Sequence, residues 1–291
     1  MAAKHIVAGT DGSEESLRAV DWAAREAALR GAALRIVAAA AAPPGMKSRA
    51  GAGEYERVTD VLLGERDQAL AAAAERAAKT AHGVLIDTDL LHGPAARAVT
   101  ESGAGAQMLV LGSRGIGAFT ALVLGSVSRY AASHASCPVV VVRDETLSPY
   151  GLVGVGVGDL DTYGDVLTFA FEEASLRKAS LLVVHAWHTP QIDFSRAGQA
   201  FTSPGEQADA ADAARHLASL LDDWRAKYPD VPVSQEVVHG HPGRALVGLS
   251  ARADLVVIGR HAKHPGVPGA GSVRHAVLNH AHGPMATVPS A

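Results

Sequence analysis

The residues best suited to chemistry are Gly112-Ser113-Arg114-Gly115, followed nine residues later by Gly125-Ser126. Glycines lack the Cβ that would keep backbone N–H groups away from a phosphate, and they admit backbone conformations closed to other residues. The stretch joins an apolar run to a segment that reads as a helix from 125, and a helix N-terminus favours an anion through its unpaired N–H groups and its dipole. Ser126 and Ser128 add hydroxyl donors. Phosphate binding is the chemistry this pattern can do, although the same glycines also suit an ordinary turn. It is neither a dinucleotide fingerprint, which reads G-x-G-x-x-G after a first strand, nor a Walker loop, which needs Lys after its last glycine.

The elements that must position this loop are legible as alternating periodicities. Nearly continuous apolar runs at about 4–10, 33–39, 84–91, 107–112 and 138–143 have the character of strands buried on both faces of a parallel sheet. Between them, Ala-rich segments at about 14–31, 54–82, 94–104 and 125–135 read as helices. The first sets Leu17, Val20, Trp22, Ala24, Ala27 and Ala28 against Glu14, Arg18, Asp21 and Arg25, and Ser13 is placed as its N-cap. Strand-helix alternation predicts a doubly wound parallel sheet, with ligand beyond the C-terminal strand ends at the topological switch point.

The same plan occurs twice. A shift of 147 residues brings Glu26-Ala27 onto Glu173-Ala174, Leu34 onto Leu181 and Leu109-Val110-Leu111-Gly112 onto Val256-Val257-Ile258-Gly259. After one deletion, a shift of 146 brings Ser126-Val127 onto Ser272-Val273 and Pro138 onto Pro284. Two α/β domains follow, 1–146 and 147–291, with the linker at Asp144 to Tyr150. The Pro-, Gly- and Ser-containing stretches 40–53 and 187–205 read as mobile surface loops at equivalent places in the two copies.

These residues resemble the universal stress proteins, whose ATP-binding members carry G-x2-G-x9-G-[ST]. Gly112, Gly115, Gly125 and Ser126 match each position, and the likeness extends to Gly9-Thr10-Asp11-Gly12-Ser13, to Gly93 and to Cys137-Pro138-Val139-Val140-Val141. It covers essentially the whole chain, as the tandem form of the family. The resemblance implies two five-stranded parallel sheets of the adenine nucleotide alpha hydrolase-like fold, strand order 3-2-1-4-5. It implies an ATP site, with Mg2+ as a companion ion, in the first copy. Gly9, Thr10, Asp11 and Ala39 then line the adenosine side, Leu111, Gly112, Arg114 and Gly115 wrap the ribose and first phosphates, and Gly125, Ser126, Val127 and Ser128 hold the outer phosphates. The residues themselves agree for Asp11, since a carboxylate at a first strand end accepts from ribose hydroxyls or an adenine amino group. Asp also suits a turn or cap at that place.

The second copy departs from the pattern. Gly158 stands where Asp11 would, Ala262 replaces the second loop glycine, and the interval from Gly259 to Gly271-Ser272 is one residue shorter. A weak or empty second site is expected.

Bulk properties narrow the class. A net charge of −4 gives no basic footprint for nucleic acid. One cysteine, Cys137, allows no internal disulfide and suits a buried thiol, while no apolar run is long enough for a signal peptide or a membrane span. A cytoplasmic protein without membrane or nucleic-acid partners is expected. The histidines His239, His241, His261, His264, His275, His280 and His282 lack the Cys or carboxylate spacing of a metal site and read as solvated surface. No general base, carboxylate pair or cationic clamp accompanies the loop, so binding and signalling are expected over turnover. An ATP-hydrolysing or nucleotidyl-transferring enzyme is the alternative. Pairing of the last strands, 138–143 and 284–288, would make the two copies a pseudo-dimer or join two chains as a homodimer.

Overall fold

A computed structural model describes residues 5–41, 52–115, 124–143, 149–158, 163–187, 204–260 and 270–289. The chain divides into two compact units, Met1–Arg143 and Asp144–Ala291.

In the first unit β1 (His5–Gly9), α1 (Glu14–Arg30), β2 (Ala33–Ala40), α2 (Ala52–Thr80) and β3 (Ile86–His92) are followed by α3 (Ala95–Ser102), β4 (Met108–Gly112), α4 (Ser126–His134) and β5 (Val139–Val142). The strand order is β3-β2-β1-β4-β5, and each of these neighbours runs parallel. Apolar runs become central strands because both faces are covered: Ile6, Val7 and Ala8 of β1 and Met108 to Val110 of β4 are completely buried. The chain reverses direction around β1, since β2 lies on one side and β4 on the other. That places the switch point beyond Gly9 and Gly112.

Local signals set the ends of α1. The Ser13 side chain accepts from Ser16 N–H, Glu14 and Glu15 occupy the first turn, and Gly31 ends the helix in the left-handed conformation with its N–H on Ala27 and Ala28 carbonyls. Its buried face differs from the expected one: Ala28 is exposed and Glu26 is buried. Burial of this carboxylate is tolerated because Arg30 Nε donates to it at 2.5 Å. Arg76 of α2 reaches both Asp21 and Glu14 of α1, which stacks the two helices. The hydrogen bond from Arg76 holds the Glu14 carboxyl below its ordinary value, while Asp21 first and Glu14 second raise Arg76 further.

The second unit repeats the plan with β6 (Leu152–Val157), α5 (Gly164–Arg177), β7 (Ser180–Trp187), α6 (Pro204–Lys227) and β8 (Val233–His239). It continues with α7 (Pro242–Ser250), β9 (Leu255–Gly259), α8 (Ala270–His280) and β10 (Met285–Val288). Its order is β8-β7-β6-β9-β10, again parallel. The buried pair recurs as Glu173 with Arg177. Lys178 takes the left-handed cap position at φ 53°, where the first unit has glycine.

The stretches read as loops at 40–53 and 187–205 are shorter than expected. Ala40 and Trp187 end strands, and helices already begin at Ala52 and Pro204. Helical periodicity there was masked by the adjoining Pro and Gly. The remainder of both stretches, and linker residues 144–148, lie outside the described residues. Among the described residues no helix is long and apolar enough to cross a membrane.

Candidate functional site

The switch point of the first unit is built from two short segments. One is the turn Gly9 to Ser13, between β1 and α1; the other is the loop Gly112 to Gly115, which leaves β4 and resumes at Leu124 ahead of α4. Loop residues 116–123 lie outside the described residues.

The turn is wired by hydroxyls. Ser16 Oγ donates to Ser13 O at 2.8 Å, so at the 3.0 Å contact between Thr10 and Ser16 it is Thr10 that donates. Thr10 Oγ1 in turn accepts from Gly12 N–H at 3.2 Å, and Ser16 Oγ accepts from Asp11 N–H at 3.3 Å. Both hydroxyls are buried. The Thr10 N–H continues the β ladder to Val37 O at 2.8 Å. Asp11 is thereby aimed: its Oδ1 accepts from the Ser13 N–H at 3.0 Å and the Ser13 hydroxyl at 2.6 Å. Its other oxygen faces the loop. A methyl group placed on Gly115 would fall on Asp11 Oδ2 and lie 3.2 Å from Asp11 Cγ. Gly115 is therefore glycine because the Asp11 carboxylate occupies the space a side chain would need.

Gly112 has a related constraint. Its missing Cβ would stand 2.7 Å from Glu15 O and 3.0 Å from Ser16 N, so the loop lies directly on the first turn of α1. Gly9 packs against Leu111, whose Cδ2 would meet a Cβ at 2.6 Å. Ser113 N–H donates to Val142 O, and Gly125 N–H returns to Ser113 O at 2.8 Å, closing the base of the loop. The buried Ser128 hydroxyl donates to Gly112 O at 2.6 Å and ties α4 to the end of β4. Ser126 is exposed and Val127 half-buried at the start of α4. Ala39 is half-buried near the end of β2, paired with Leu91 of β3. It lies one strand away from the Asp11 and Gly115 contact.

The two helix N-termini that meet this crevice differ in charge. That of α1 is already neutralised by the Ser13 cap and two acidic residues. That of α4 has Gly125 at its cap, no side-chain cap hydrogen bond and no acidic residue in its first turn. A helix N-terminus of this composition favours an anion.

Three residues of the site gave no signal in the sequence. Arg66, from α2, donates through Nη1 to Asp11 O at 2.6 Å across 55 positions of chain. Glu15 lies 3.5 Å from Arg114 Nη2. Ser16 organises the turn. Ser16 and Glu15 sit at the head of a helix where their types read as ordinary capping composition, and nothing local singles out Arg66.

The second unit has a different crevice between β6 and β9. Tyr163, the residue preceding α5, stands over it: a Cβ on Gly158 would lie 2.9 Å from the Tyr163 hydroxyl, and one on Gly259 3.8 Å from its ring. Arg274, at the position of Ser128, donates to Arg260 O at 3.1 Å. Ala262 lies outside the described residues, as does the side chain of Ser272. His241 caps α7 by accepting from Gly243 N–H, while His261 and His264 lie outside the described residues. Among the described residues no three His, Cys, Asp or Glu side chains gather to hold a metal ion. Cys137 is buried.

Fold and site together define a tandem α/β protein with a glycine-built crevice at the switch point of its first unit. The universal stress protein family model matches residues 2–143 and again 149–289. The chain is 36% identical over 301 residues to Universal stress protein Rv1996 of Mycobacterium tuberculosis (strain ATCC 25618 / H37Rv), covering 96% of this chain and 93% of the relative. It is 33% identical over 268 residues to a universal stress protein of Mycolicibacterium smegmatis, covering 89% and 87%. A crystal structure of a universal stress protein from Archaeoglobus fulgidus superposes over 99% of both chains with a TM-score of 0.68 at 13% identity, a likeness of fold. This chain belongs to the universal stress protein family, in its tandem form.

Proposed function

We propose that the first unit binds ATP and that occupancy of this site makes the protein a nucleotide-dependent stress-response or signalling regulator with little or no catalysis. The observation that carries this reading is the Asp11 carboxylate held against Gly115, with the uncapped N-terminus of α4 at the other end of the same loop. A carboxylate accepts from a ribose or an adenine amino group, while a helix terminus and loop amides favour phosphate, so the two ends of the crevice suit the two ends of a nucleoside phosphate.

In this reading Gly9, Thr10, Asp11 and Ala39 form the adenosine side and Leu111, Gly112, Arg114 and Gly115 the ribose and inner-phosphate side. Gly125, Ser126 and Val127 hold the outer phosphates. Ser128, whose hydroxyl already donates to Gly112 O, contributes its backbone N–H. The α4 terminus and the loop amides would hold the anionic chain of ATP, with Mg2+ as its companion ion. Tyr163 supports a weak or empty second site, because its phenol stands where a ligand would approach Gly158 and Gly259. Pairing of the last strands would make the two copies a pseudo-dimer within one chain or join two chains as a homodimer, and the solution mass tests the second.

The experiment is to denature freshly purified full-length protein, identify released nucleotide by chromatography, and titrate emptied protein with ATP by calorimetry, with Asp11→Ala in parallel. About one nucleotide per chain, lost in Asp11→Ala, is expected. No nucleotide and no binding in the wild type would overturn the reading, and ATP turnover well above about 0.1 per second would replace it with an enzymatic one.

A further inference from the structure

We propose that Glu15 is a specificity-determining residue of this site: it holds Arg114 while the site is empty and yields it to phosphate on binding, so that affinity depends on phosphate number. The inference rests on the nucleotide reading above and adds a residue and a discrimination to it.

Three observations carry it. Arg114 lies inside the glycine loop and its Nη2 is 3.5 Å from Glu15 Oε1, with both side chains about 30% exposed. The contact is close enough to orient the guanidinium and open enough to be exchanged. Among the described residues the buried Arg114 Nε has no hydrogen-bond partner, so the pair with Glu15 leaves donor capacity unused. Arginine presents five donors in a planar fork, which a phosphate engages more fully than this single distant carboxylate oxygen. Finally, the loop backbone at Gly112 lies against the Glu15 carbonyl, as the 2.7 Å approach of a Cβ there requires. A phosphate chain on the loop is therefore within reach of the guanidinium that Glu15 holds. Arg18, 3.8 Å from Glu15 on the same helix, remains to neutralise the carboxylate after Arg114 leaves.

An ion pair of this exposure is worth little by itself, so the expected effects are modest. In the full-length chain freed of nucleotide, affinities for ATP, ADP, AMP and adenosine are measured by calorimetry. Glu15→Gln should strengthen ATP binding about 2- to 5-fold, with the gain shrinking through ADP and AMP and vanishing for adenosine. Arg114→Gln should weaken ATP more than adenosine. In the Arg114→Gln background, Glu15→Gln should give no gain, because the pair it releases is already absent. Equal gains for ATP and adenosine, no gain for ATP, or a full gain persisting without Arg114 would each overturn the hand-over. Wild-type protein that binds neither ATP nor adenosine would instead overturn the nucleotide reading. Thermal unfolding of each variant separates loss of fold from loss of affinity.

Discussion

Replacing Gly115 by alanine tests the geometry of the site at its most constrained point. The Gly115 backbone is not in the left-handed region, so alanine meets no conformational penalty there. The nearest obstacle among the described residues is Asp11, whose Oδ2 lies where the new methyl must go and whose Cγ would be 3.2 Å from it. Either the loop withdraws or the carboxylate turns, and turning breaks the bonds from the Ser13 N–H at 3.0 Å and the Ser13 hydroxyl at 2.6 Å. Hydrogen bonds to a charged acceptor contribute about 1.5–3 kcal/mol each. Asp11 is half-buried, so water recovers part of that, leaving a net loss of about 1.5–3 kcal/mol. If binding needs the carboxylate in its present position, ATP affinity falls about 10- to 100-fold. Calorimetric titration with ATP measures this, and near-native thermal unfolding establishes that the unit still folds. The double variant sharpens the test: with Asp11→Ala present, the methyl at 115 has nothing to strike, and its additional cost should nearly vanish. Gly115→Ala within twofold of wild type, or fully additive penalties in the cycle, would refute the reasoning.

Other consequences are smaller. Ser16→Ala removes the buried hydroxyl that joins Thr10, Asp11 N–H and Ser13 O; a stability loss of about 1–3 kcal/mol by chemical denaturation is expected, with weakened ATP binding. Lys178→Gly should stabilise the second unit by about 0.5–1 kcal/mol in the same assay, because the αL cap at φ 53° strains a side chain that the first unit avoids with Gly31. Arg76→Ala should return the Glu14 carboxyl toward its ordinary value in an NMR titration. Since Arg76 lowers that value, the stabilisation is present above the unfolded carboxylate value and lost as pH falls through the folded one, so the variant should lose less stability than wild type on acidification.

Much of the architecture could be read from the chain because it rests on local signals. Ser13 and the Ala-rich face define α1 through capping and periodicity, and the repeat places the same helix in the second unit, although Tyr163 precedes it without a side-chain cap bond and Lys178 ends it. The register of Glu26 escaped because a charged residue on the apolar face looks like an interruption until Arg30 is seen beside it. The starts of α2 and α6 escaped because neighbouring Gly and Pro conceal a first turn. At the site, the glycine spacing was visible and its cause was not: Gly115 is explained by Asp11, and Gly112 by Glu15, neither of which is near it in sequence.

The chain alone carried the family resemblance through its matching motifs, and it carried the tandem repeat, the parallel α/β plan and the glycine loop because periodicity and spacing are properties of short segments. Only the tertiary structure decided that Asp11 faces Gly115, that Arg66 grips Asp11 from another helix, that Arg114 rests on Glu15, and that Tyr163 stands over the second crevice. Those pairings join residues from separate elements. They exist once the strands order themselves around β1 and β6, because only the switch point brings the ends of those elements within hydrogen-bonding distance.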